Sequence, residues 1–195
     1  MDPPDAYAPP GGNAVSRDEM HPVLQNLMDE HEAFVTILDA FETILLQIRD
    51  NGLTKKTHQG LSGFFRKLDE EIVRHNLKEE KILFPLLQDR LLEVGEHSAG
   101  AIPTTAVDML EDDHSKFIQL AAVSFNFFGL AGRLPDPASV ALTLDAALEQ
   151  SATLVEHLRL HIFRENNVVF PLAQQHISDS EMDGLLLKLE NFRAA

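Results

Sequence analysis

His157-Leu158-Arg159-Leu160-His161-Ile162-Phe163-Arg164-Glu165 is the stretch whose reading decides the fold. Its imidazoles and carboxylate recur every four residues, and residues four apart on an α-helix share a face about one turn up. His157, His161 and Glu165 therefore form one stripe on one helix. The residues between them are apolar or long and basic. Two imidazoles and a carboxylate without sulfur suit Fe, Zn, Mn or Ni, and point away from copper–thiolate and iron–sulfur sites.

The pattern returns earlier in the chain. His75, Glu79, Phe84, Pro85 and Leu86 match His161, Glu165, Phe170, Pro171 and Leu172 without a gap, and Lys78 matches Arg164 in charge. Upstream of each copy stands a second matched set: Asp29, His31 and Phe34 against Asp112, His114 and Phe117. His31 precedes His75 by 44 residues, and His114 precedes His161 by 47. The sequence thus reads as two helical hairpins of one design.

Apolar residues from Pro22 to Asp50 recur at helical spacing, and Asn51-Gly52 supplies a stop. A second helix is expected over 54–93 with a bend at Pro85, a third over 104–130, and a fourth over 138–176 with a bend at Pro171. A short helix follows from Ser178, with Leu185, Leu186, Leu187 and Leu189 apolar. No segment alternates with period two. The expected architecture is all-α: an up-down-up-down four-helix bundle with a short extra C-terminal helix and internally duplicated hairpins. Residues 1–18, with four prolines and Gly11-Gly12, read as a tail, and 19–195 as one domain.

The 195 residues are 44% hydrophobic, which fits one folded domain. With 31 acidic against 16 basic side chains the formal charge is −15, a surface that repels a phosphate backbone, so nucleic acid is not an expected partner. There is no cysteine, hence neither disulfides nor thiolate ligands, which fits a cytoplasmic location. No apolar run reaches membrane-spanning length, so no membrane partner is expected.

Two such hairpins packed about a pseudo-twofold axis would bring both His-x-x-x-Glu pairs and both single histidines to the bundle centre. Two ions sharing two carboxylates as bridges would then be held by five imidazoles, with His157 as the fifth, and two glutamates. The charges of buried glutamates are tolerable when cations neutralise them. Five nitrogens over two six-coordinate ions leave a position open to a small exogenous ligand. Glu71, the first-hairpin counterpart of His157, and Glu80, five residues after His75, are further candidates to complete the site.

The arrangement over about residues 20–176 resembles the hemerythrin family, specifically the bacterial hemerythrin-like (HHE cation-binding) domains. The resemblance implies a non-haem di-iron centre, with zinc or manganese as alternatives, whose metal ligands are His31, His75, Glu79, His114, His161 and Glu165, with His157 as a seventh. Hemerythrins proper carry His-x-x-x-His on the third helix, whereas Leu110 and Ile118 flank His114 here. The function implied is binding or sensing of dioxygen or nitric oxide. The alternative is a di-iron enzyme acting in peroxide reduction, iron oxidation or iron–sulfur cluster repair. A ferritin-like centre needs Glu-x-x-His twice, and Glu111-x-x-His114 supplies it once. His21, His58, His97 and His176 are expected to be solvent-exposed, the run Glu111-Asp112-Asp113 to be a solvated first turn, and Phe34, Phe84, Phe117 and Phe170 to be core.

Overall fold

The computed structural model describes residues 15–192. Five helices carry the fold, and no strand occurs among the described residues. Helix α1 (Pro22–Asn51) begins at the cap His21, whose Nδ1 accepts from the Val23 amide, and ends at Gly52 with φ 71°. Helix α2 runs without a break over 55–94 as the segments Lys55–Lys67, Leu68–Val73, Arg74–Lys78, Glu79–Leu83 and Phe84–Val94. Thr54 caps its start, and Gly95 closes it in the left-handed conformation at φ 81°, where a Cβ would be strained. Helix α3 (Ala106–Ala131) starts from a capping box of Thr105 and Asp108. Helix α4 covers 137–176 as Pro137–Arg164, Glu165–Val169 and Phe170–His176, and α5 is Asp179–Glu190.

Each expected helix is present within a residue or two of its expected ends. The two bends differ in form from simple kinks. Before each Phe-Pro the helix widens into a π-turn, Glu79–Leu83 and Glu165–Val169, in which the Phe84 amide bonds to the Glu79 carbonyl and the Phe170 amide to the Glu165 carbonyl. Proline lacks an N–H and its ring crowds the carbonyl four residues back, and the extra residue in the turn relieves that clash. A third π-turn, Leu68–Val73, has no proline.

The core is divided in two. One cluster contains Phe34, Phe41, Phe64, Phe117, Leu154 and Leu158, and the other contains Leu24, Phe84, Leu87, Leu110, Phe170 and Met182. The histidines and glutamates of both hairpins lie in a layer bounded by residues of each cluster. Where α2 packs on α1, a Cβ at Gly60 would meet Ile44 Cδ1 at 2.7 Å, so that side chain would have to shift. The fold begins earlier than residue 19. Val15 packs on the second cluster, Arg17–Glu19 form a 3-10 turn, and Arg17 pairs with Asp29. Residues 1–14 of the expected tail lie outside the described residues. No described helix is long and apolar enough to cross a membrane.

Candidate metal centre

On α2, Ile72, His75, Asn76 and Glu79 follow one another at helical spacing and all are buried; on α4, Leu158, His161, Ile162 and Glu165 do the same. From α1 and α3, His31 and His114 enter the same layer, 1% and 4% exposed. The imidazoles meet in pairs, His31 Nε2 with His75 Nε2 at 2.9 Å and His114 Nε2 with His161 Nε2 at 3.0 Å. Glu79 stands between the pairs, with Oε1 3.3 Å from His75 Nε2 and Oε2 3.7 Å from His114 Nε2. Glu165 does the same in mirror order, with Oε1 3.2 Å from His161 Nε2 and Oε2 3.1 Å from His31 Nε2.

Two overlapping groups result: His31, His75, Glu79 and Glu165, and Glu79, His114, His161 and Glu165, the donor atoms of each lying within 4.8 Å of one another. Both carboxylates belong to both groups, as two bridging glutamates would. All four of their oxygens are buried without a hydrogen-bond partner. A buried carboxylate oxygen with no donor is costly unless a cation answers it. Donors 2.9 to 3.3 Å apart in the His31–His75 set and 3.0 to 3.7 Å apart in the His114–His161 set are spaced as neighbours around one ion, since bonds of about 2.1 Å at right angles put donors about 3 Å apart. The residues present therefore fit a pair of cations.

The outward nitrogens fix the orientation of the rings. His75 Nδ1 donates to Glu30 at 2.8 Å, His114 Nδ1 to Glu80 at 2.8 Å, and His31 Nδ1 to the Asn166 Oδ1 at 2.8 Å. Carboxylate and amide oxygens only accept, so Nδ1 of these three rings carries a proton and Nε2 faces inward, where the neutral ring offers its lone pair. Asp113 stands 3.5 Å from His161 Nδ1, beyond ordinary hydrogen-bond reach. Behind these acids, Glu30 pairs with Lys78, and Asp113 pairs with Arg164 at 2.8 Å. Phenylalanines enclose the set. Phe170 stacks on His31 and Phe84 on His114, at ring distances of 5.6 and 5.8 Å. Phe34 meets His75 edge-on at 5.0 Å and Phe117 meets His161 at 4.9 Å.

This packing shifts the acid–base properties. Burial alone would push the His75 imidazole down, but the charge of Glu79 and the bond to Glu30 outweigh it and raise the pKa from 6.5 to about 10. His161 rises to about 9, burial being overcome by the Glu165 charge and Asp113. Burial pushes Glu165 up, yet the charge and bonding of His161 and His31 hold it well below the usual carboxylate range. Against burial, His75 and Lys78 hold Glu30 down at about 2.

Six of the seven residues expected from the sequence are thus brought together: His31, His75, Glu79, His114, His161 and Glu165. His157 is not among them. It is half-buried and belongs to neither group, and Leu158 takes the inward position beside it. Of the other candidates, Glu71 lies 3.9 Å from Lys67, and Glu80 supports His114 from outside. Asp113 is no solvated first turn: it lies in the second turn of α3, 14% exposed, between Arg164 and His161. His58 and His97 are exposed as expected, whereas His21 is half-buried as the α1 cap, 3.2 Å from Asp183, and His176 is half-buried too. The phenylalanines are core, all four buried. Sequence reasoning missed Glu30, Asp113 and Asn166 as partners of the imidazoles. The available signal was their repeated place directly beside a ligand-type residue.

A match to the hemerythrin HHE cation-binding domain covers residues 22–173. The chain belongs to that family. Relatives of this HHE domain include the iron-sulfur cluster repair protein YtfE of Enterobacter sp. (strain 638), 29% identical over 115 residues, and that of Escherichia coli O1:K1 / APEC, 30% identical over 115 residues. YtfE of Cronobacter sakazakii is 27% identical over the same length. Each alignment covers 59% of this chain and 47% of the relative, so the HHE domain matches about half the length of those proteins.

Proposed function

We propose that this HHE domain is a non-haem di-iron protein that binds or senses a small diatomic gas, dioxygen or nitric oxide. His31, His75, Glu79 and Glu165 hold one ion, and His114, His161, Glu79 and Glu165 the other. The observation that carries the reading is the set of four buried carboxylate oxygens without a donor, each facing an imidazole Nε2. Nitrogen and oxygen donors of this kind accept iron, zinc and manganese, and membership of the family favours iron.

When bound, iron supplies the redox chemistry and the affinity for a diatomic ligand. The chain orients and encloses. Nδ1 acceptors turn the Nε2 of His31, His75 and His114 inward, and the four phenylalanines keep water from the donors. Beside His31, His75 and His161 lies a cavity of about 10 Å³, walled by Phe34, Leu38, Ile72, Leu158 and Ile162, with Asn76 as the added polar group. A space no larger than one water molecule rejects a bulky substrate.

Protein loaded anaerobically with iron(II) and then exposed to dioxygen or nitric oxide is expected to hold two irons per chain and to show a visible band that reverses when the gas is removed. Absence of iron uptake overturns the reading. The second reading, a role in iron–sulfur cluster repair, is favoured by the names of the curated relatives. Restoration of activity to a damaged cluster enzyme by the iron-loaded protein, lost on His161→Ala, selects it over simple binding.

A further inference from the structure

Helix α3 carries two apolar seams. Phe117, Ala121, Ser124 and Phe128 are buried in the bundle. One residue after each of them stands a second set, Ile118, Ala122, Phe125 and Gly129. Steps of four, three and four residues are those of a stripe that meets another helix. This stripe meets none: all four residues are exposed, Ile118 at 49% and Phe125 at 59%. Its end borders a groove of about 340 Å³ between α2 and α3, walled by Leu61, Phe65, Phe125 and Phe128 and edged by His58 and Arg66. Phe65 of α2 meets Phe125 edge-on at 5.2 Å, which joins the seam to the groove.

The charge of this face is the reverse of the chain's. Residues 51–68 and 114–135 contain no aspartate or glutamate, although the chain has 31. They contain Lys55, Lys56, Arg66, Lys67, Lys116 and Arg133. Arg66 has no ion pair or hydrogen bond among the described residues, whereas Lys78, Arg90, Arg159 and Arg164 each hold a carboxylate. Asp69, one turn on, neither lines the groove nor pairs with Arg66. Arg133 donates through Nε to the Gly129 carbonyl at 3.0 Å, which sets a second guanidinium at the end of the seam. Arginine beside exposed aromatic rings is the composition of an interface. Two copies joined through this seam would press two acid-free, cationic faces together, which disfavours a second copy as the occupant.

We infer that the groove between α2 and α3, with the exposed seam of α3, docks an acidic amphipathic helix of a partner protein. The partner's apolar stripe lies along Ile118, Ala122 and Phe125 and enters the groove against Phe128, while its acidic flank meets Arg66 and Arg133. From Ile118 to Gly129 the seam is about 16 Å long, which takes about three turns of the incoming helix. No residue of the candidate metal centre lies in the groove or the seam, so the inference stands apart from the metal reading.

The test uses the full chain and a fluorescently labelled synthetic helix of three heptads, with leucine at positions a and d and glutamate at e and g, followed by anisotropy. Saturable binding is expected, against the repulsion of a chain of formal charge −15, and it should weaken as salt is raised. Phe125→Ser and Arg66→Glu should each weaken it by about tenfold or more, Arg66→Lys should restore part of the loss, and Leu46→Ser, exposed on α1, should leave it unchanged. Unchanged helical circular dichroism in each variant separates lost docking from lost fold. Absence of saturable binding, or binding that survives both Phe125→Ser and Arg66→Glu, overturns the inference. So does a wild-type dimer dissolved by Phe125→Ser, which would make a second copy the occupant. Binding to phosphatidylcholine–phosphatidylserine vesicles that is lost on Phe125→Ser, with no peptide binding, overturns it in favour of a lipid surface.

Discussion

At the scale of single residues, the imidazoles of the site are poised to exchange a proton for a metal ion. In the metal-free protein the pKa of His75 is raised to about 10 and that of His161 to about 9, so both carry a proton at neutral pH. A raised folded pKa adds stability that is fully present below the unfolded value of about 6.5 and is lost as pH climbs through 9 to 10. The metal-free protein should therefore lose stability between about pH 7 and pH 10, measured as a falling denaturant midpoint. Metal binding needs the neutral ring, so uptake near pH 7 should release about two protons per chain. From the model value of histidine alone, affinity would fall only below about pH 6; with these shifts it falls progressively from about pH 9 downward. Calorimetry in buffers of different ionisation enthalpy reads the released protons directly, and zero release at pH 7 counts against the protonated pairs. The two bridging carboxylates are the other sensitive residues. Glu165→Gln keeps the shape and deletes a charge shared by both donor groups, so it should lower bound iron from two per chain to one or none by elemental analysis.

At the scale of the elements, the π-turns set the geometry of the site. Each begins at a bridging glutamate and ends at the Phe-Pro pair, so one widened turn places both the carboxylate and the ring that covers the opposite hairpin's histidine. Replacing Pro85 and Pro171 by alanine restores two N–H groups and permits a regular turn, which changes the rotation of the chain beyond it relative to the bridging glutamate. The double variant should retain its helical circular dichroism while binding iron at least tenfold more weakly; unchanged affinity would separate the turns from the site. The same elements show what was legible in the sequence. Helices, their ends and the duplicated His-x-x-x-Glu were readable because each is a local pattern on one helix. His157 misled for a geometric reason. Four residues advance a helix by 400°, so a four-residue stripe drifts about 40° at each step and three members do not face one point. His161 and Glu165 take the inner face, and Leu158 rather than His157 continues it. The outer partners were hidden because each serves another helix: Glu30 is adjacent to His31 but bonds His75, and Glu80 is adjacent to Glu79 but bonds His114. Local spacing carries no information about such crossings.

At the scale of the whole molecule, the polar layer separates the apolar cores and is the least self-sufficient part of the fold. Four carboxylate oxygens inside a bundle oppose folding unless positive charge lies beside them, which in the metal-free protein at neutral pH is only that of the protonated His75 and His161. Cations that bind the folded chain alone supply this, and they stabilise it by mass action: at a free concentration 100-fold above Kd the gain is about 2.7 kcal/mol. For a chain of 195 residues, each kcal/mol moves the melting temperature by about 2–4 °C. Stripping the metal with a chelator should then lower the melting temperature by roughly 5–10 °C, and restoring iron(II) should recover it. The size of the shift should grow with free metal concentration, which distinguishes linkage from a side effect of the chelator. His31→Ala should shrink the shift, since it removes a donor from one of the two groups. A melting temperature indifferent to chelator and to added iron would mean that the bundle folds around its buried acids unaided, and the protein would then be a helical scaffold rather than a metal protein.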